Sequence, residues 1–227
     1  MFLGHAAAGF AAKRWAPRTS LAWLLVAPWL LDLLWPVFLL LGLEKVAPQE
    51  SVSPFLTMRF VSYPWSHSLL MAIVWAFVAG ALYARMTRDR QGARVIAALV
   101  VSHWAMDWIV HVPDLPLWPG NSPHYGLALW RWPAVTMFVE GALFVAGLGL
   151  YVSATRPRDR TGNLALAGLM AALLGLYWAS LSGGPPPSTP VIAGTMLIFG
   201  AVIVPWAAWI ERHRRLVTPE DDQSRML

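Results

Sequence analysis

Six stretches of the chain, at about 20–43, 66–84, 95–112, 133–154, 163–182 and 190–210, each supply close to the roughly 20 apolar residues that cross the hydrocarbon core of a bilayer. No water reaches the backbone in that core, so each stretch must close its hydrogen bonds internally as a helix. Composition agrees. The 227 residues are 57% hydrophobic and 13% charged, with a mean hydropathy of +0.53, against about 45–50% apolar and about 25% charged in a soluble domain. The expected fold is an all-α integral membrane protein of about six transmembrane helices plus a short N-terminal helix. Residues 1–215 form a single polytopic membrane domain, and 216–227, ending TPEDDQSRML, are expected to be a disordered cytoplasmic tail.

The opening MFLGHAAAGFAAKRW places its charges after its apolar run, the reverse of a secretory signal. At this length it reads as a short helix, half-inserted or packed among the others. The net charge of +5 is a topology signal and does not point to nucleic acid. Lys13, Arg14 and Arg18, then Arg85, Arg88, Arg90 and Arg94, then Arg156, Arg158 and Arg160, then Arg212, Arg214 and Arg215 mark alternate loops. The intervening loops hold few cations, and the last of them, SGGPPPSTP, holds none. Cations gather on the cytoplasmic side. The pattern predicts a multi-pass protein of a bacterial inner membrane with both termini cytoplasmic.

Against this background the ionisable residues inside the apolar runs stand out. SHWAMDWIVH sets His103, Asp107 and His111 four residues apart, an offset of about 40° that keeps them on one helix stripe. Asp107 lies about 20 Å along the helix from Arg94 at 1.5 Å per residue. Asp32, His67 and Glu140 fall at the middle or outer half of three further spans, and His5 lies about 12 Å beyond Lys13. The last two spans carry no ionisable residue. A charge at the bilayer centre costs about 2.5–3.5 kcal/mol on insertion scales, so such a residue carries a functional hypothesis. Each also has a structural alternative: an interhelical ion pair for His103 and Asp107, a cap before Pro36 for Asp32, interfacial solvation for His67 and His111, a structural pairing with a Ser or His of a neighbouring span for Glu140, and a terminal position without a role for His5.

With no cysteine in the chain, a metal must be held by imidazole and carboxylate, a donor set that suits Zn, Mn or Fe. A divalent ion offsets the repulsion between Asp32 and Asp107 and activates water. Glu140 or His111 is then placed to act as base, or to fill a ligand position. The segments GHAAAG, LLDLLWP, WSHSLL, SHWAMD and LPLWPG, in this order over residues 1–120, resemble the bacterial inner-membrane metal-dependent hydrolases of the YdjM-like family. The resemblance implies metal ligation or catalysis by His5, Asp32, His67, His103 and Asp107; the donor set places Zn first as the divalent cofactor, and the outer-half position of the site puts a membrane lipid or another small molecule within its reach. The chain departs from that family at Asp32, which stands where a paired acid is usual. Two other functions fit parts of the pattern. One is a small transporter with a proton or cation relay through Asp, Glu and His. The other is a b-type haem protein using two of His5, His67, His103 and His111.

Overall fold

The computed structural model of the protein describes residues 1–49, 52–184 and 188–217. The expected tail lies outside these residues from 218 onward, as does the centre of the SGGPPPSTP loop. Among the described residues the chain forms eight α-helices and three two-stranded antiparallel pairs. The helices are α1 (Phe2–Ala12), α2 (Leu21–Leu40), α3 (Pro64–His67), α4 (Leu69–Thr87), α5 (Arg90–Val110), α6 (Pro133–Ala154), α7 (Arg160–Ser182) and α8 (Thr189–Arg212). All but α1 and α3 are long and apolar enough to cross a membrane. The protein is an all-α membrane protein with six spanning helices.

Local chemistry sets the helix ends. Ser68 opens α4 by accepting the Met71 N–H, Asp89 opens α5 by accepting from Gln91 and Gly92, and Asp159 opens α7 by accepting from Gly162, each oxygen satisfying amides that lack a helical partner. Proline stands in the first turn of α6 and α8, where its missing N–H costs nothing. Strands β1 (Lys45–Pro48) and β2 (Met58–Ser62) pair over one end of the bundle, beside β3 (Leu115–Pro116) and β4 (His124–Tyr125). At the opposite end β5 (Thr155–Pro157) pairs with β6 (Arg214–Leu216), so ordered chain extends past 215.

Helix α1 is not half-inserted. It lies inside the bundle against α6, α2 and α5, and Leu3, His5, Ala6 and Phe10 are almost fully buried. Small residues make this seat possible. A Cβ on Gly9 would stand 2.6 Å from the Leu24 carbonyl of α2, and one on Gly147 would overlap the backbone of Ala7. Small residues allow such close helix approach where lipid offers no hydrophobic drive. The Leu24 carbonyl also lacks its helical donor, because Pro28 carries no N–H.

One core joins α1, α2, α6, α7 and α8 through Phe10, Leu25, Phe144, Leu169 and Ile203, and a second joins α2, α4 and α5 through Leu31, Ala76 and Val100. Lys13, read from the sequence as a topology residue, is 1% exposed. Its Nζ donates to Glu211 Oε1 at 2.5 Å and to the Thr19 carbonyl at 2.9 Å. Glu211→Ala removes the charge partner of this ammonium and leaves it the Thr19 carbonyl alone. The expected loss is about 1–3 kcal/mol, the cost of an unsatisfied buried donor, read as a lower melting temperature in detergent than for Glu211→Gln.

Candidate metal centre

Five residues named from the sequence meet at one place. His5 from α1, Asp32 from α2, His67 from α3, and His103 and Asp107 from α5 bring their donor atoms together in two overlapping groups. One group is His5, His103 and Asp107, and the other is Asp32, His67 and His103; within each, the atoms lie within 4.8 Å of one another. Asp107 is the hub. Its Oδ1 lies 3.1 Å from His5 Nε2 and 2.5 Å from the Met1 amine, and its Oδ2 lies 2.9 Å from His103 Nε2 and 3.8 Å from His111 Nε2. The stripe expected from the four-residue spacing therefore forms, with Asp107 between its two histidines.

The ring orientations carry more information than the distances. His103 Nδ1 lies 2.7 Å from the Pro28 carbonyl, an oxygen with nothing to donate, so the proton sits on Nδ1. His67 Nδ1 lies 2.6 Å from Ser66 Oγ, whose own proton goes to Glu44 Oε2 at 2.7 Å, so His67 also carries its proton on Nδ1. His111 Nδ1 lies 3.0 Å from Asp114 Oδ1, which accepts the Tyr63 hydroxyl at 2.9 Å. In the neutral rings all three Nε2 atoms then bear lone pairs. His103 and His111 aim theirs at Asp107, and His67 aims its lone pair at Asp32 Oδ1, 3.5 Å away.

A lone pair facing a carboxylate oxygen is unfavourable unless a cation lies between them: a ring proton, a metal ion or, between His5 and Asp107, the Met1 amine, which lies 3.3 Å from His5 Nε2 and 2.5 Å from Asp107 Oδ1. Two buried imidazole nitrogens among the described residues, His103 Nε2 and His5 Nδ1, have no hydrogen-bond partner. Backbone and carboxylate acceptors behind metal-binding imidazoles are the usual means of fixing tautomer and aim; this chain supplies a carbonyl behind His103, a carboxylate behind His111, and behind His67 the Ser66 hydroxyl, itself tied to Glu44. The donor set and its orphaned nitrogens fit a divalent ion. His103, with Nδ1 committed, can serve one such ion.

Electrostatics outside the spanning helices agrees. Burial holds the His67 imidazole below its ordinary pKa, which favours the neutral, ligating ring. Burial pushes the Glu44 carboxyl up, against the pull of donors from Trp65 and Ser66. Burial, with Asp114 alongside, pushes the Tyr63 phenol well up, so it stays a donor.

Glu140 stands beside the cluster, at the start of α1. Its Oε2 accepts the Leu3 N–H at 2.7 Å and the Gly4 N–H at 3.4 Å, so it satisfies the first turn of α1, a role that suits a carboxylate at a helix N-terminus. It belongs to neither donor group. His111 stands at the rim, under Trp130 with ring centroids 4.2 Å apart.

Glu44, Ser66, Tyr63 and Asp114 were not identified from the sequence as parts of the site. A signal existed for two of them: Ser66 adjoins His67, and Asp114 follows His111 by three residues, across Pro113. Asp114→Asn keeps the shape but weakens the anchor behind His111. Metal affinity is expected to fall about 10–100-fold if His111 ligates, the range for such outer partners, and to hold if His111 only moves protons; competitive chelator titration reads the difference. No family model, curated protein or solved structure matches the chain.

Proposed function

We propose that the protein is a metal-dependent hydrolase embedded in a bacterial inner membrane, with His5, Asp32, His67, His103 and Asp107 as metal-binding groups and one divalent ion, Zn before Mn or Fe, held by one of the two triads that share His103. One observation carries this reading: imidazoles tied back through Nδ1 present lone-pair nitrogens to two carboxylates. Such an ion, when bound, supplies Lewis acidity and a water of lowered pKa.

The chain's own residues account for the rest. Asp107 and the imidazoles hold the charge in a region from which water is largely excluded; the side chains of His5, His67, His103 and Asp107 are at most 5% exposed. His111 accepts a proton at Nε2, and Asp114, behind Nδ1, stabilises the imidazolium as an orienting carboxylate does in other His–Asp pairs. Asp114 also lines an open cavity of about 330 Å³ with Tyr63 and His124, which gives that proton a route to solvent. Under the orientation set by the cationic loops this cavity faces the outer side. Glu140 positions α1, and with it His5, and takes no part in the chemistry.

The test is elemental analysis of protein purified in mild detergent without chelator or metal-affinity resin. About one Zn, Mn or Fe per chain is expected, with hydrolysis of a lipid or ester panel lost on chelation and restored on reloading. No metal, even after reloading, sinks the proposal.

A further inference from the structure

The cluster is closed on nearly every side. The exception is Asp32, whose side chain is 27% exposed while that of its partner His67 is 5% exposed. Asp32 opens into a cavity of about 480 Å³ between α2, α7 and α8, within the range of about 300–1,000 Å³ typical of ligand sites. Trp29, Ala172, Leu176, Phe199 and Val202 contribute to its walls, and Asp32 is its one charged residue. These walls belong to spanning helices, so the groove opens toward hydrocarbon. The accessible edge of the cluster thus faces lipid, on the side formed by the two helices that carry no ionisable residue within the bilayer.

We propose that this groove holds the hydrocarbon chain of a membrane phospholipid, with the lipid's polar linkage at Asp32, so that the substrate of the cluster enters sideways from the bilayer. The proposal rests on the cluster being the site of chemistry. Three features favour this occupant. A soluble substrate would have to traverse the bilayer core to reach Asp32 from this side. A chain in the groove is surrounded by the same apolar matter as in the lipid, so entry carries little hydrophobic gain or cost. Preference must then come from the polar end, where the single carboxylate and the donor groups behind it stand.

The full chain in nanodiscs containing phosphatidylglycerol with a mid-chain diazirine gives the test. After irradiation, peptides bearing Leu176, Phe199 and Val202 are expected to carry about tenfold more label than those bearing Phe77 and Phe138, a ratio that corresponds to about 1.4 kcal/mol. Phe77 and Phe138 are 76% and 75% exposed and serve as ordinary lipid-facing surface. Ala172→Trp and Val202→Trp each fill the groove and should abolish the excess while elemental analysis shows the metal content unchanged. Equal labelling of all lipid-facing peptides, an excess that survives both fillings, or capture of a second copy of the chain in place of lipid overturns the groove assignment. Metal measured on the same samples keeps the two ideas apart: groove labelling without metal removes the hydrolase reading and leaves the lipid site, and metal without labelling does the reverse.

Discussion

Asp107→Asn is expected to reduce bound metal to less than about a tenth of the wild-type content and to lower stability by about 3–5 kcal/mol, the cost of breaking a buried pair from one side. The substitution keeps the volume and one oxygen, so the loss reports charge. Asp107 faces His5, His103, His111 and the Met1 amine, all buried, and an amide in its place removes the anion they share, leaving only His111 with a carboxylate of its own in Asp114. Elemental analysis and thermal unfolding read the two effects separately. Glu140→Gln is the contrast. Glutamine still offers an oxygen to the Leu3 and Gly4 amides, so metal content should be unchanged. Equal metal loss in both variants would return Glu140 to the site and refute its assignment to α1.

The second large effect belongs to a glycine. Gly147→Leu drives a side chain into the backbone of Ala7, where not even a Cβ fits. Helix α1 must shift and carry His5 with it. Overpacking typically costs about 1–3 kcal/mol, occasionally more, and the contact with backbone places this site at the upper end. Gly141 and Gly149 lie on the same helix with open space beside them. Alanine at either should be neutral or stabilising by up to about 1 kcal/mol, since glycine is the poorer helix former, whereas alanine at Gly147 should destabilise. Melting temperatures of the three alanine variants in one detergent check the ordering. If all three behave alike, α1 is not seated against α6.

These contrasts also show what the sequence revealed. The spanning helices were legible because bilayer thickness imposes a length on any apolar run, and α2, α4, α5, α6, α7 and α8 overlap the six expected spans. The stripe of His103, Asp107 and His111 was legible because helical spacing alone puts those residues on one face. The place of α1 was not, since eleven residues of mostly Ala, Gly, Phe and Leu are too short to span and too evenly apolar to favour one face. Glu140 looked like a base because its depth matched the cluster. Depth along a helix says nothing of rotation about it, and the carboxylate points at the start of α1. Glu44 and Asp114 sit in connections whose approach to His67 and His111 is settled only by how α3 and β3 fold over the bundle end.

The central seat of α1 constrains the order in which the protein can be built. Its walls come from α2 and α5 and, most tightly, from α6, which follows it by some 120 residues. Until α6 has entered the membrane, the AAAG run has no glycine-lined slot to occupy, and His5 cannot stand beside Asp107. A chain stalled after α5 would carry all five donors yet leave His5 without its seat, an incomplete cage. Completion of the His5–His103–Asp107 group therefore waits for the sixth helix and comes late in assembly.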